Sequence, residues 1–240
     1  MSGDDEVPLD GGFINIVVRA GDTVRRSMPA NAEWVHALLD HLHAHGFDAA
    51  PRPLGIDEQG REILSWIDGE ARRGPEPDDA VLAEVMRLAR RVHDLTAGTD
   101  FAGDQECVIH GDLSPRNTIY RGGRPVAFID WDVARPGSRR WDVSRACWQY
   151  VDPGAGCDPA EVARRWRLMI ETYGLDVIRP SALVGDVLDR LTENADGIEA
   201  EAAAGSQPHV RLVEMGAPAS IRMVHRWVSE HRAAIEAALA

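Results

Sequence analysis

Two apolar runs in the middle of the chain each end in polar, chemistry-bearing residues, and this pairing restricts the fold more than any other feature. The first is CVIHGDLSPRNTIY (107–120) and the second is PVAFIDWD (125–132). Each reads as a short strand that leads into a loop at its carboxyl end, a common location for a site. The loops deliver Asp112 and Asn117 from the first run and Asp130 from the second. Gly111 permits a close backbone approach, and Ser114 with Pro115 shapes the turn.

Phosphoryl transfer from a nucleotide requires a carboxylate to orient the acceptor hydroxyl. It also requires metal ions to neutralise the phosphates, held by a carboxylate and an amide oxygen. Asp112, Asn117 and Asp130 supply that inventory. The plainer reading has Asp112 and Asn117 capping a turn and Asp130 facing solvent; the joined spacing of the two motifs weighs against it.

HGD, four residues, Asn and a later IDWD together resemble the aminoglycoside phosphotransferase-like family. This family includes choline, homoserine and macrolide kinases and is related to protein kinases. The resemblance implies an α+β, protein-kinase-like two-lobe fold. Residues 1–69 would form a small antiparallel-sheet N-terminal lobe that clamps the nucleotide. Residues 70–240 would form a mainly helical C-terminal lobe with the catalytic loop and acceptor site. ATP and Mg2+ are implied as co-reactants, and a small molecule with a hydroxyl as acceptor. By the same resemblance Asp112 is the catalytic base, His110 braces the catalytic loop, and Asn117 and Asp130 are magnesium ligands. Asp132 is then a secondary acidic residue near the metal. Asp142, in WDVSRA (141–146), anchors the catalytic loop or serves as a first-turn carboxylate. His93, in VHDLT (92–96), is a structural histidine.

Before the first motif, strand-like FINIVV (13–18) and TVRR (23–26) flank a turn at Ala20–Asp22. Helical spacing follows over 32–45, with Val35, Leu38, Leu39 and Leu42 on one face and Gly46 as a stop. Strands are expected around 54–57 and 62–67, then a polar connector over 67–77 that suits a hinge. The family resemblance makes Gly12 and Asn15 the tip of a phosphate-covering hairpin, and Trp66 and Ile67 part of the hinge that meets adenine. Only ten residues precede Gly11, so the first strand of the usual sheet is expected to be missing or improvised. There is no lysine in the chain, so the phosphate-clamping cation falls to Arg25 or Arg26. Strand alternation turns one of the two to the cleft, and Arg26 is favoured. Its glutamate partner should lie one turn into the following helix, where Val35 or His36 stands; Glu33 lies slightly early.

After the connector the periodicity is helical over 79–95, 141–150, 160–173, 181–204 and 218–239, with Pro159 and Pro180 at two helix starts. Trp148, Tyr150 and Trp166 could line a pocket or fill core.

The net charge of -13 disfavours nucleic acid and anionic membranes as partners. It is compatible with a cationic acceptor, to which Asp186, Asp189, Glu193, Asp196 and Glu199 could present negative charge; a solvated helix face is the plainer reading. An acidic start, no run of about 18 apolar residues and three cysteines without paired spacing lead to the expectation of a cytoplasmic protein. A shortened sheet with an open edge would invite a homodimer. A noncatalytic kinase-fold protein that binds a ligand or partner is the alternative function.

Overall fold

The computed structural model describes residues 6–9, 17–76, 78–175 and 178–240. Its first sheet has five strands in the order β1-β2-β3-β5-β4. These are β1 (Val7–Pro8), β2 (Val17–Ala20), β3 (Thr23–Ser27), β4 (Pro53–Ile56) and β5 (Arg61–Ser65). The first strand, expected to be missing or improvised, is present but only two residues long: Val7 and Pro8 pair antiparallel with Arg19 and Val18. A strand of two residues leaves almost no apolar periodicity, so the sequence pattern does not register it. The hairpin residues Gly12 and Asn15 lie outside the described residues.

Helix α1 (Ala32–Ala44) crosses between β3 and β4 and buries Val35, Leu38, Leu39 and Leu42 as its spacing predicts. Ser65 to Gly69 carry the chain out of this sheet to β6 (Glu70–Ala71), which pairs with β8 (Thr118–Arg121) and, through it, β9 (Arg124–Phe128). Gly69 sits at φ 141°, and a Cβ there would meet the Tyr120 carbonyl oxygen at 2.5 Å, so the crossing requires glycine.

Helix α2 (Asp79–Thr96) begins at Asp78, whose carboxylate accepts from the Ala80 N–H at 2.8 Å. Strand β7 (Cys107–Ile109) pairs with β10 (Arg135–Gly137). Thus β7 feeds the His110 loop, and β9 feeds Ile129–Asp132. Five helices follow: α3 (Arg139–Val151), α4 (Pro159–Tyr173), α5 (Pro180–Ala203), α6 (Gln207–Glu214) and α7 (Ala217–Glu230), then α8 (Arg232–Leu239) closes the chain. Pro159 and Pro180 open α4 and α5. The expected helix over 218–239 is divided at His231, and α6 was not foreseen. Helix α6 spans only eight residues and none of them is fully buried, so it offers too short a window for a helical period to be read.

Trp148, Tyr150 and Trp166 are all buried in the core that runs from α1 and α2 through α5, α7 and α8, so they fill core. The Trp166 indole N–H donates to the Cys147 carbonyl at 2.9 Å. Among the described residues no helix is long and apolar enough to cross a membrane. The described cysteines are all free, with Cys107 and Cys147 buried and Cys157 exposed.

Candidate active site

The His110 loop is held from beneath by a buried carboxylate. Asp142, in the first turn of α3, is 0% exposed. Its Oδ2 accepts from the His110 backbone N–H at 2.7 Å, and its Oδ1 accepts from the Gly111 N–H at 2.9 Å. His93 Nε2 lies 3.1 Å from Oδ2, and His93 Nδ1 is 2.7 Å from the Tyr173 hydroxyl. Burial alone would raise the Asp142 carboxyl, but the hydrogen bond and charge of His93, the charge of His110 and the Gly111 N–H hold it below its usual value. Gly111 stands at φ 81°, where an added Cβ would approach the Val133 carbonyl oxygen to 2.8 Å.

His110 is buried, with Nε2 3.1 Å from the Ile129 carbonyl and Nδ1 3.3 Å from the Asp112 N–H. Its ring packs against Phe128 and Trp131. It therefore ties the first loop to the second. Asp112 projects from this loop with its Oδ2 accepting from Asn117 Nδ2 at 2.7 Å. Asn117 also donates to the Asp112 carbonyl at 3.0 Å, and its Oδ1 takes no hydrogen bond among the described residues.

The other oxygen of Asp112 is met by Arg145 on α3, a contact the sequence did not announce. Arg145 lies over the Trp148 ring at 4.8 Å. Nearby Arg190 on α5 donates to the Gly111 carbonyl at 2.7 Å, and burial with the charges of Arg145 and Arg135 pushes it down to about 10. These arginines reach the loop through helix packing, so no local sequence signal reveals them.

From above, β3 supplies the cation. Arg26 Nη1 is 3.1 Å from Asp130 Oδ1 and 3.1 Å from Asp132 Oδ2, and its Nη2 meets the other oxygen of Asp132. Arg25 points elsewhere, 3.5 Å from Glu6. Of the two arginines, Arg26 is thus the one that faces Asp130 and Asp132. The expected glutamate is not its partner: Glu33 is exposed, and Arg26 Nε instead donates to Glu62 Oε1 on β5 at 2.6 Å. The pairing is legible only from strand register, in which Arg26 and Glu62 stand directly opposite.

Asp130 has φ 65°, an unusual backbone for a non-glycine residue, and turns its carboxylate into this cluster. Its side chain is 49% exposed, yet desolvation by the surrounding protein and the neighbouring Asp132 charge push its carboxyl up, against the pull of Arg26. Crowded carboxylates of this kind favour a cation. Among the described residues no group of three or more His, Cys, Asp or Glu is placed to hold a metal ion. Mg2+ typically takes one or two carboxylates and completes its shell with phosphate oxygens and water. The all-oxygen set of Asp130, Asp132 and Asn117 Oδ1 fits an ion that arrives with a nucleotide.

At the crossing between the sheets, Trp66 is half-buried beneath the Arg19 guanidinium, which lies 4.2 Å from its ring centroid. Ile67 packs on the core edge. On α5, Asp189, Thr192, Glu193 and Asp196 line an open groove, although Arg222 pairs with Asp196 at 2.8 Å and with Glu199 at 2.9 Å. Asp186 is instead held by Arg140 at 2.7 Å.

A small antiparallel sheet set over a helical body, with an HGD loop and an aspartate-bearing loop meeting beneath the sheet, defines a protein of the kinase-like α+β class. A family model described as the phosphotransferase enzyme family matches residues 5–106 and 100–179. The chain belongs to that family, whose members include small-molecule kinases. A trifolitoxin immunity protein of Rhizobium leguminosarum bv. trifolii is 33% identical, with 98% of this chain and 99% of the relative covered. Among solved structures, a gentamicin–APH(2'')-IIa complex superposes with a TM-score of 0.62 at 12% identity, covering 91% of each chain. A choline/ethanolamine kinase family protein from Mesorhizobium loti gives a TM-score of 0.61 at 17% identity, covering 98% of this chain and 91% of the other.

Proposed function

We propose that this protein is an ATP- and magnesium-dependent phosphotransferase acting on a hydroxyl of a small molecule. The observation that carries the reading is the meeting of Asp112, Asn117, Asp130 and Arg26 at one place from three separate segments. In this reading residues 1–69 clamp the nucleotide and residues 70–240 carry the catalytic loop and the acceptor site. Asp112 orients the acceptor hydroxyl and receives its proton as the hydroxyl oxygen bonds to the γ-phosphorus, the bond from that phosphorus to the bridging oxygen breaks and ADP leaves. Asn117 Oδ1 and Asp130 would hold magnesium, which would neutralise phosphate charge, with Asp132 as a secondary acidic residue beside them. Arg26 binds phosphate oxygens, and the backbone around Trp66 and Ile67 receives the adenine. His110 and Asp142 hold the loop in place rather than touch the reacting atoms.

Arg145 fits this scheme by fixing one oxygen of Asp112 while Asn117 fixes the other, which sets the carboxylate plane. The name of the Rhizobium relative, an immunity protein against trifolitoxin, adds a toxin to the acceptor classes worth screening.

A second reading, a noncatalytic kinase-fold binding protein, is favoured by one observation. Arg26 bridges Asp130 and Asp132, and both oxygens of Asp112 are already engaged. An ADP-release assay over amino alcohols, sugars, aminoglycosides and hydroxyl-bearing peptides separates the two. Acceptor-dependent ADP release, with one phosphoryl group gained by the acceptor in mass spectrometry, is expected. Absence of both across the panel, in folded protein that binds nucleotide, favours the binding reading.

A further inference from the structure

The cation facing Asp130 is an arginine whose carboxylate partner stands on a strand, not on the following helix where the family resemblance places a glutamate. Arg26 on β3 stands opposite Glu62 on β5 in antiparallel register. Arg26 Nε donates to Glu62 Oε1 at 2.6 Å, and His36 Nε2 on α1 lies 2.6 Å from Glu62 Oε2. Glu62 is 1% exposed, so both of its oxygens must find donors inside the protein, and these two groups are the donors. His36 occupies the place, one turn into α1, where a glutamate was expected.

A guanidinium is a planar fork with distinct donor edges, so its usefulness depends on which edge faces the ligand. An ammonium has no such requirement. Here Glu62 takes the Nε position, and the Nη1–Nη2 edge is turned towards Asp130 and Asp132. His36 in turn stops the Glu62 carboxylate from rotating, since its second oxygen is engaged.

We propose that Glu62 and His36 are positioning residues of the nucleotide clamp: Glu62 fixes the plane of the Arg26 guanidinium so that its Nη edge meets phosphate, and His36 fixes Glu62. The inference rests on the phosphotransferase reading given above. When nucleotide enters, the Nη edge passes from the two aspartates to phosphate oxygens while Nε stays on Glu62. The arrangement moves the clamp's supporting charge from the helix to the sheet, and leaves the helix a hydrogen-bonding role.

The test is calorimetric titration of ATP with Mg2+ into wild type, Glu62→Gln, His36→Leu and His36→Gln, with unfolding midpoints by circular dichroism. Loss of a charge-assisted hydrogen bond corresponds to roughly a ten- to hundredfold change in affinity. Glu62→Gln is expected to weaken ATP binding on that scale and to raise KM for ATP more than it lowers kcat. His36→Leu should weaken binding in the same direction, and His36→Gln, which keeps a donor, should restore it. A merely structural role would lower the unfolding midpoint in both His36 variants without separating them in ATP affinity. If Glu62→Gln does not fold, the contrast between the two His36 variants decides. Wild-type affinity in Glu62→Gln, or equal affinity in His36→Leu and wild type, overturns the positioning role alone. No binding of ATP by wild type overturns the functional reading and this role with it.

Discussion

Replacing Asp112 with asparagine is expected to lower phosphoryl transfer by about 10²- to 10⁴-fold, the usual contribution of a positioned general base. The fold should survive. Asp112 lies on the surface of the loop rather than in the core, with its side chain 32% exposed, and Asn117 can still bond its backbone carbonyl. An asparagine keeps the shape but loses the proton acceptor, the negative charge that faces Arg145 and one of the two oxygens that Asn117 and Arg145 engage, so a modest fall in the unfolding midpoint is expected beside the loss of turnover. The measurement is turnover with saturating ATP and acceptor, beside the unfolding midpoint and the KM for ATP. An unchanged KM with a collapsed kcat is the expected pattern, because the interaction lost belongs to the transition state. Turnover within a few-fold of wild type in the folded variant would remove Asp112 from the base role.

The second large effect concerns Asp142, and it is one of stability. This carboxylate accepts from His110 N–H, Gly111 N–H and His93, and has no exposure to solvent. Asp142→Ala leaves two backbone donors and a histidine without their partner in a dry interior. Breaking a buried charged network by removing one member costs roughly 3–5 kcal/mol. A loss of that size in urea unfolding is the expected result, with activity falling in parallel as the loop loosens; a change below about 1 kcal/mol would show that the network contributes little. The pH dependence follows from the direction of the shift. The folded carboxyl lies below its ordinary value of 3.8, so its contribution is fully present above that value and is lost as pH falls through the lower folded one. The stability gap between wild type and Asp142→Ala should therefore narrow on acidification and stay constant at neutral pH.

The parts of the site that were legible in the sequence are those built locally. The HGD loop and the Ile129–Asp132 loop each carry their functional residues within a few positions of a strand end, so spacing alone brings Asp112, Asn117 and Asp130 into view. Helices α1, α2, α4 and α5 were legible for the same reason, since a buried face repeats with the helical period. What escaped was set by register and packing. Glu62 pairs with Arg26 because β3 and β5 align at that residue, across a separation that no motif spans. Arg145 and Arg190 reach the catalytic loop from α3 and α5 only once those helices dock. Helix α6 is too short at eight residues to set out a clear period, and β1 at two residues carries none.

Binding of ATP measured by calorimetry, with and without magnesium, on wild type and on Asp130→Ala, tests the central claim most directly. A magnesium-dependent heat is expected in the wild type and should disappear in Asp130→Ala while the unfolding transition remains. Binding of equal strength in both proteins, or none in the folded wild type, would contradict the assignment of Asp130, Asn117 and Arg26 as a nucleotide–metal site.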